Sequence, residues 1–208
     1  MPSRSTLVRW GGMAALAAGV LYVLGTLSTA LDYPSAYLFT RLHLSAVWGA
    51  PMRLLALGGL VGLHARQVGS RGYGKLGMAG FSLALIGSLL AMALGPVVLG
   101  LSSGPSLPLV GKVLTGTVAA AAELGLLLLG VATLRAGVLP SPWRTLPLAI
   151  FLLDIPFSYL GLLFPERIGV IVLLHIQQAL LGLGWGLLGY ALWSGMGETA
   201  WHRPARVR

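Results

Sequence analysis

The chain has 208 residues, of which 56% are hydrophobic and only 9% charged, with a mean hydropathy of +0.86. A water-soluble domain carries about 25% charged residues, so this composition excludes a soluble globular domain, a disordered segment and a coiled coil. The absence of cysteine also excludes disulfide staples, thiolate metal sites and thiol chemistry. The formal net charge is +9, but the basic residues sit in short segments between apolar runs. In that position positive charge reports membrane topology rather than a nucleic-acid partner.

A membrane helix needs roughly 20 predominantly apolar residues. Six runs qualify, at about 9–31, 44–64, 76–100, 113–134, 146–164 and 169–194. Runs such as Val118–Leu129 lack the strict alternation of a barrel strand. The expected fold is therefore all-α, a single transmembrane domain of six helices followed by a basic tail at 195–208. The first run follows Arg4 and Arg9 and ends at Ser28-Thr29-Ala30, like a secretory leader. It is longer than a leader's apolar region of about 7–15 residues, and a retained helix is expected.

Orientation follows from the connections. Arg4, Arg9, Arg66, Arg71, Lys75, Arg135, Arg144, Arg203, Arg206 and Arg208 fall on one side, against Arg41, Lys112 and Arg167 on the other. The positive-inside rule then places both termini in the cytoplasm of a cell-membrane protein. Trp10, Tyr73, Trp143 and Trp193 would line the inner boundary, with Tyr33, Tyr37 and Phe164 at the outer one. Two connections exceed a tight turn, 32–43 and 101–112, both outside. The first is aromatic enough to lie as a short helix on the membrane surface.

Polar residues inside the runs are the candidates for function. Arg53, Glu123 and Asp154 fall near the middle of the second, fourth and fifth runs, and His175 and Gln178 lie toward the outer part of the sixth. An ionisable group at mid-membrane costs about 2.5–3.5 kcal/mol on insertion scales, so it faces the bundle interior and finds partners. Each shares its helix side with small residues: Arg53 with Gly49 and Ala56, Glu123 with Ala119 and Gly130, His175 and Gln178 with Gly182, Gly186 and Gly189. Small residues let helix backbones approach, as a seam closing around a charge requires. Gly58/Gly62 and Gly182/Gly186 could serve seams within the chain or between chains, leaving self-association or membrane subunits as partners besides the bilayer. The first and third runs lack mid-run charge and are expected to face lipid or a partner.

These residues support several readings. One cation and two carboxylates leave an unbalanced negative charge, so a carboxyl is protonated, His175 is charged or a cation visits. Proton-linked or small-molecule transport sites use carboxylates held in that balance. The alternative is a structural subunit whose charges clamp the helices together. An intramembrane lipid or isoprenoid enzyme would use Glu123 and Asp154 as an acid–base pair, but no H-E-x-x-H, G-x-S-x-G or Asp-rich motif is present. A haem or chlorophyll-type pigment would need His43 or His175; neither it nor any other cofactor is expected. Pro51 and Pro156 flank Arg53 and Asp154, as in broken helices that line binding cavities and equally in ordinary membrane kinks.

Gly62-Leu-His-Ala-Arg-Gln67, Lys75-Leu-Gly-Met-Ala-Gly80 and Leu188-Gly-Tyr-Ala-Leu-Trp-Ser-Gly195 resemble segments of a broad group of small, uncharacterised multi-pass bacterial membrane proteins. The resemblance implies a six-helix layout and carries no activity, and the mid-run charges lie outside those segments.

Overall fold

In a computed structural model of the chain, the structure describes residues 3–31, 49–101, 109–141, 143–163 and 168–194. The described residues form six helices and no strand: α1 Arg4–Leu31, α2 Gly49–Gln67, α3 Gly74–Leu101, α4 Leu109–Ala136, α5 Leu146–Leu163 and α6 Ile168–Trp193. Three carry segments long and apolar enough to cross a membrane, at Arg4–Ser28, Gly74–Leu94 and Gly116–Ala136. The long connection at 32–43 and most of that at 101–112 lie outside the described residues, as do the tail 195–208 and His43.

Two of the turns that reverse the chain follow from single glycines. α2 stops at Gln67 and α4 at Ala136, and each is followed within two residues by a glycine at positive φ, Gly69 (90°) and Gly137 (62°). Only glycine enters that region without steric cost, which makes it the usual residue just past a helix end.

Small residues dictate which helices pair. α1 packs along both α2 and α6, α3 along α4, and α5 bridges α4 and α6. A Cβ on Gly11 of α1 would stand 2.4 Å from Gly62 Cα of α2, and one on Gly19 would stand 2.5 Å from Gly182 O and Gly186 N of α6. Backbone is therefore seated directly on backbone. Both glycine pairs singled out in the sequence serve seams within the chain, each against α1. The expectation that the first helix faces lipid or a partner is corrected in this respect: α1 lies between two neighbours, because Gly11, Gly12, Ala15, Ala18 and Gly19 give it small, buried flanks. One stripe stays outward, comprising Leu7, Trp10, Met13, Val20, Leu24 and Leu27. Large apolar side chains face out and small ones are buried, the arrangement expected where hydrocarbon is the solvent and packing rather than hydrophobicity joins helices.

Among the described residues the buried core lies toward one end. Leu57, Leu60, Leu63, Leu129, Ile150, Phe151, Trp185, Leu188 and Leu192 are all buried in the half that holds the α2–α3 and α4–α5 turns, with Phe151 edge-on to Trp185. In the other half the described part of α2 has no buried residue before Ala56, and that of α4 none before Ala122. Thr26 and Gln177, both polar, are buried there.

Arginines fasten the packed end. The Arg4 guanidinium at the start of α1 donates from Nε to Ala65 O at 2.6 Å, and from Nη2 to Arg66 O at 3.0 Å and to Val68 O. Arg66 Nη1 donates to Ala191 O near the end of α6 at 3.1 Å. The last carbonyls of a helix lack partners within it and carry its negative dipole end, so a planar cation fits there. Arg4→Ala should lower unfolding stability in detergent by about 1–2 kcal/mol, a charged hydrogen-bond value discounted for exposure. Arg4→Lys should recover only part, since an ammonium cannot span the carbonyls as a fork does. Equal stability of all three proteins in denaturant titration would mean the contact contributes nothing.

Candidate functional site

Four helices bring polar groups together beside this core. Asp154 of α5 accepts a hydrogen bond from Gln177 Nε2 of α6 at 3.1 Å. The charge of Arg53, on α2, acts on Asp154, and both charges act on the Tyr22 hydroxyl of α1. Gln177 is buried, Asp154 and Tyr22 are half-buried, and Arg53 is exposed. The cluster thus unites a guanidinium, a carboxylate, a carboxamide and a phenol.

The residues singled out in the sequence fall as follows. Arg53 and Asp154 are brought into mutual electrostatic range. Glu123, on α4, and His175, on α6, are half-buried, and each is engaged by a neighbouring group. Gln178 is exposed, and its neighbour Gln177 holds Asp154 instead. Adjacent helical residues differ by about 100° in direction. The glycine stripe Gly182, Gly186 and Gly189 marks the α1 seam, whereas Gln177, Leu181, Gly184 and Leu188 form a second buried side reaching Ile150 of α5. The glycines pointed to Gln178, and the i, i+4 repeat through Leu181 and Leu188 was the signal for Gln177. Tyr22 carried no comparable signal, since a tyrosine within an apolar run reads as packing. Pro51 falls in the first turn of α2 and α5 continues through Pro156, so neither proline ends its helix.

A second polar group closes the packed end. His64 Nδ1 and the Tyr73 hydroxyl share a hydrogen bond, and the imidazole stacks on Phe81 with ring centroids 3.9 Å apart. Gln67 Nε2 donates to Thr133 Oγ1 at 2.8 Å, tying α2 to α4. Tyr73 is 2% exposed, which corrects its reading as a boundary aromatic: the ring lies over Gly77, where a Cβ would meet it at 2.2 Å. Trp10 and Trp193 are exposed at this end, as boundary aromatics are. Among the described residues no three His, Asp or Glu side chains gather as a metal site.

No protein-family model matches the chain, and neither a curated protein nor a solved structure does.

Proposed function

We propose that the protein is a six-span protein of the cell membrane with both termini cytoplasmic, and that it binds a small polar molecule, alone or together with a proton, at the Arg53–Asp154 cluster. The basic residues of the connections, ten against three by sequence, support the orientation. The observation that carries the binding reading is the Arg53–Asp154 pairing: a guanidinium on α2 acts on a carboxylate on α5, with Gln177 of α6 and Tyr22 of α1 joining them. Arg53 is exposed, which leaves its charge open to a ligand, whereas a clamp is best served by two desolvated partners that hold each other.

Glu123 of α4 and His175 of α6 would extend the proposed site, with Gln177 in place of Gln178 as its carboxamide. The proposed site sets two carboxylates, Asp154 and Glu123, beside one guanidinium, a balance that a proton or a bound cation would complete. That balance supports proton-linked binding or transport. The second reading, a helix clamp in a structural subunit, is favoured by the Gln177–Asp154 bond, which joins α5 to α6.

Thermal unfolding of the detergent-purified protein, run against a panel of small organic cations, anions and zwitterions at acidic and neutral pH, separates the two readings. Binding predicts a compound whose stabilisation depends on pH and is lost in Asp154→Asn, while that variant unfolds near the wild-type temperature. A clamp predicts no stabilising compound and a clear loss of stability in both Asp154→Ala and Arg53→Ala, below the about 3–5 kcal/mol of a fully buried pair because Arg53 is exposed.

A further inference from the structure

The α2–α3 turn forms a surface pocket of about 500 Å³ lined by Val68, Gly69, Ser70, Tyr73, Gly74, Lys75 and Met78. It lies at the packed, basic end, away from the Arg53–Asp154 cluster. Its rim has two kinds of wall. Val68 and Met78 are 40% and 50% exposed and present apolar surface, while Lys75 and, on the same turn, Arg71 are exposed cations.

The floor is made for an anion. α3 begins at Gly74, and the first bond of its ladder runs from Gly77 N to Tyr73 O at 2.9 Å. The amides of Gly74, Lys75 and Leu76 precede that donor and have no partner within the helix. Tyr73, in the capping position, has no side-chain acceptor within reach of them, since its hydroxyl is engaged by His64. The Ser70 hydroxyl oxygen is buried and has no hydrogen-bond partner, although Ser70 lines the pocket. Gly74 sits at φ 47°, and a Cβ there would meet nothing within 4 Å, so the start of α3 is uncovered on that side. Partnerless amides at a positive helix end, a partnerless hydroxyl and a cation are the elements of a phosphate site. The two carboxylates among the described residues, Glu123 and Asp154, lie deeper in their helices.

We propose that this pocket holds the phosphate headgroup of an anionic membrane phospholipid. The phosphate sits over the first amides of α3, with Lys75 and Arg71 around it and the acyl chains running down along Val68 and Met78. Apolar residues beside cations at one rim favour a lipid over a free anion, and basic pockets between membrane helices are where acidic headgroups lodge.

The test uses purified full-length protein incubated with mixed phosphatidylglycerol and phosphatidylcholine micelles, with bound lipid read by native mass spectrometry. Phosphatidylglycerol should be retained in preference to phosphatidylcholine, and excess inorganic phosphate should not displace it. Lys75→Gln should weaken retention about fivefold and Lys75→Gln with Arg71→Gln further, the size expected for basic residues at an anionic surface. Arg144→Gln, an exposed cation of the α4–α5 turn, should leave retention unchanged, which separates a built site from diffuse charge. All the substituted residues are exposed, and thermal unfolding would verify that the variants fold. Equal retention of both lipids, displacement by inorganic phosphate, or a Lys75→Gln/Arg71→Gln protein that holds phosphatidylglycerol as the wild type does would each overturn the proposal.

Discussion

Gly125→Ala should unfold the α3–α4 pair, whereas Gly116→Ala on the same helix should be harmless or stabilising. A Cβ on Gly125 would stand 2.2 Å from Ala84 N and 2.7 Å from Ala84 Cα, while one on Gly116 would meet nothing within 4 Å. The obstructing atoms are backbone, so no side-chain rotation can relieve the overlap and the helices must separate. The seam is reciprocal: a Cβ on Gly80 would stand 2.7 Å from Leu129 N and one on Gly87 2.8 Å from Ala122 N, so separation at one level loosens contacts along its length. Overpacking a tight interior costs about 1–3 kcal/mol and occasionally more, and an immovable partner puts Gly125→Ala at or above the top of that range. Gly116→Ala meets open space and gains up to about 1 kcal/mol of helix propensity. Denaturant unfolding in detergent, followed by helical circular dichroism, should therefore move the two variants in opposite directions. Similar shifts for both would mean that α3 and α4 do not approach as closely as described.

The same seams show which parts of this architecture a sequence exposes. The positions of the six helices follow from apolar run length, and four of the six expected runs match the helices to within a few residues at every described end. Identities of partners do not follow. In hydrocarbon no hydrophobic force selects one apolar face over another, so pairing rests on which small residues meet. Gly58, Gly62, Gly182 and Gly186 advertise seams, but nothing in their spacing says that α1 receives both. α1 itself seemed dispensable to the interior only because it lacks charge, whereas its Gly11, Gly12 and Gly19 are what allow close contact. The candidate site was legible in part for a related reason. Charge in an apolar run is conspicuous, hence Arg53 and Asp154; a glutamine beside another glutamine, or a tyrosine among leucines, is not. Gln177 and Tyr22 become visible only once helix rotation is known. The polar group at the packed end was hidden for the opposite reason: His64, Gln67 and Tyr73 fall where a helix end is expected to be wet, and the burial of Gln67 and Tyr73 depends on the turn folding back over α3.

Tyr73, the buried residue of that turn, is the one whose truncation should cost most at the basic end. The ring is 2% exposed, joins the core and covers Gly77, so Tyr73→Ala should remove roughly 3–5 kcal/mol, as large aromatic truncations do. Tyr73→Phe keeps the ring and removes the hydroxyl bonded to His64 Nδ1; the loss should be about 1 kcal/mol, because the half-buried imidazole loses its partner. A third measurement distinguishes the hydroxyl's own contribution. Burial raises the Tyr73 phenol above its ordinary 10.0, so above that pH the unfolded chain releases a proton that the folded chain retains. The unfolded state then binds fewer protons, and stability must fall as pH rises. This residue's share is complete below pH 10 and is lost above it, with a slope of at most about 1.4 kcal/mol per pH unit. Tyr73→Phe should therefore be less stable than wild type at neutral pH yet lose less stability on further alkalinisation, so that the two unfolding curves converge. Parallel curves would show that the Tyr73 hydroxyl ionises equally in both states and that the turn does not shield it.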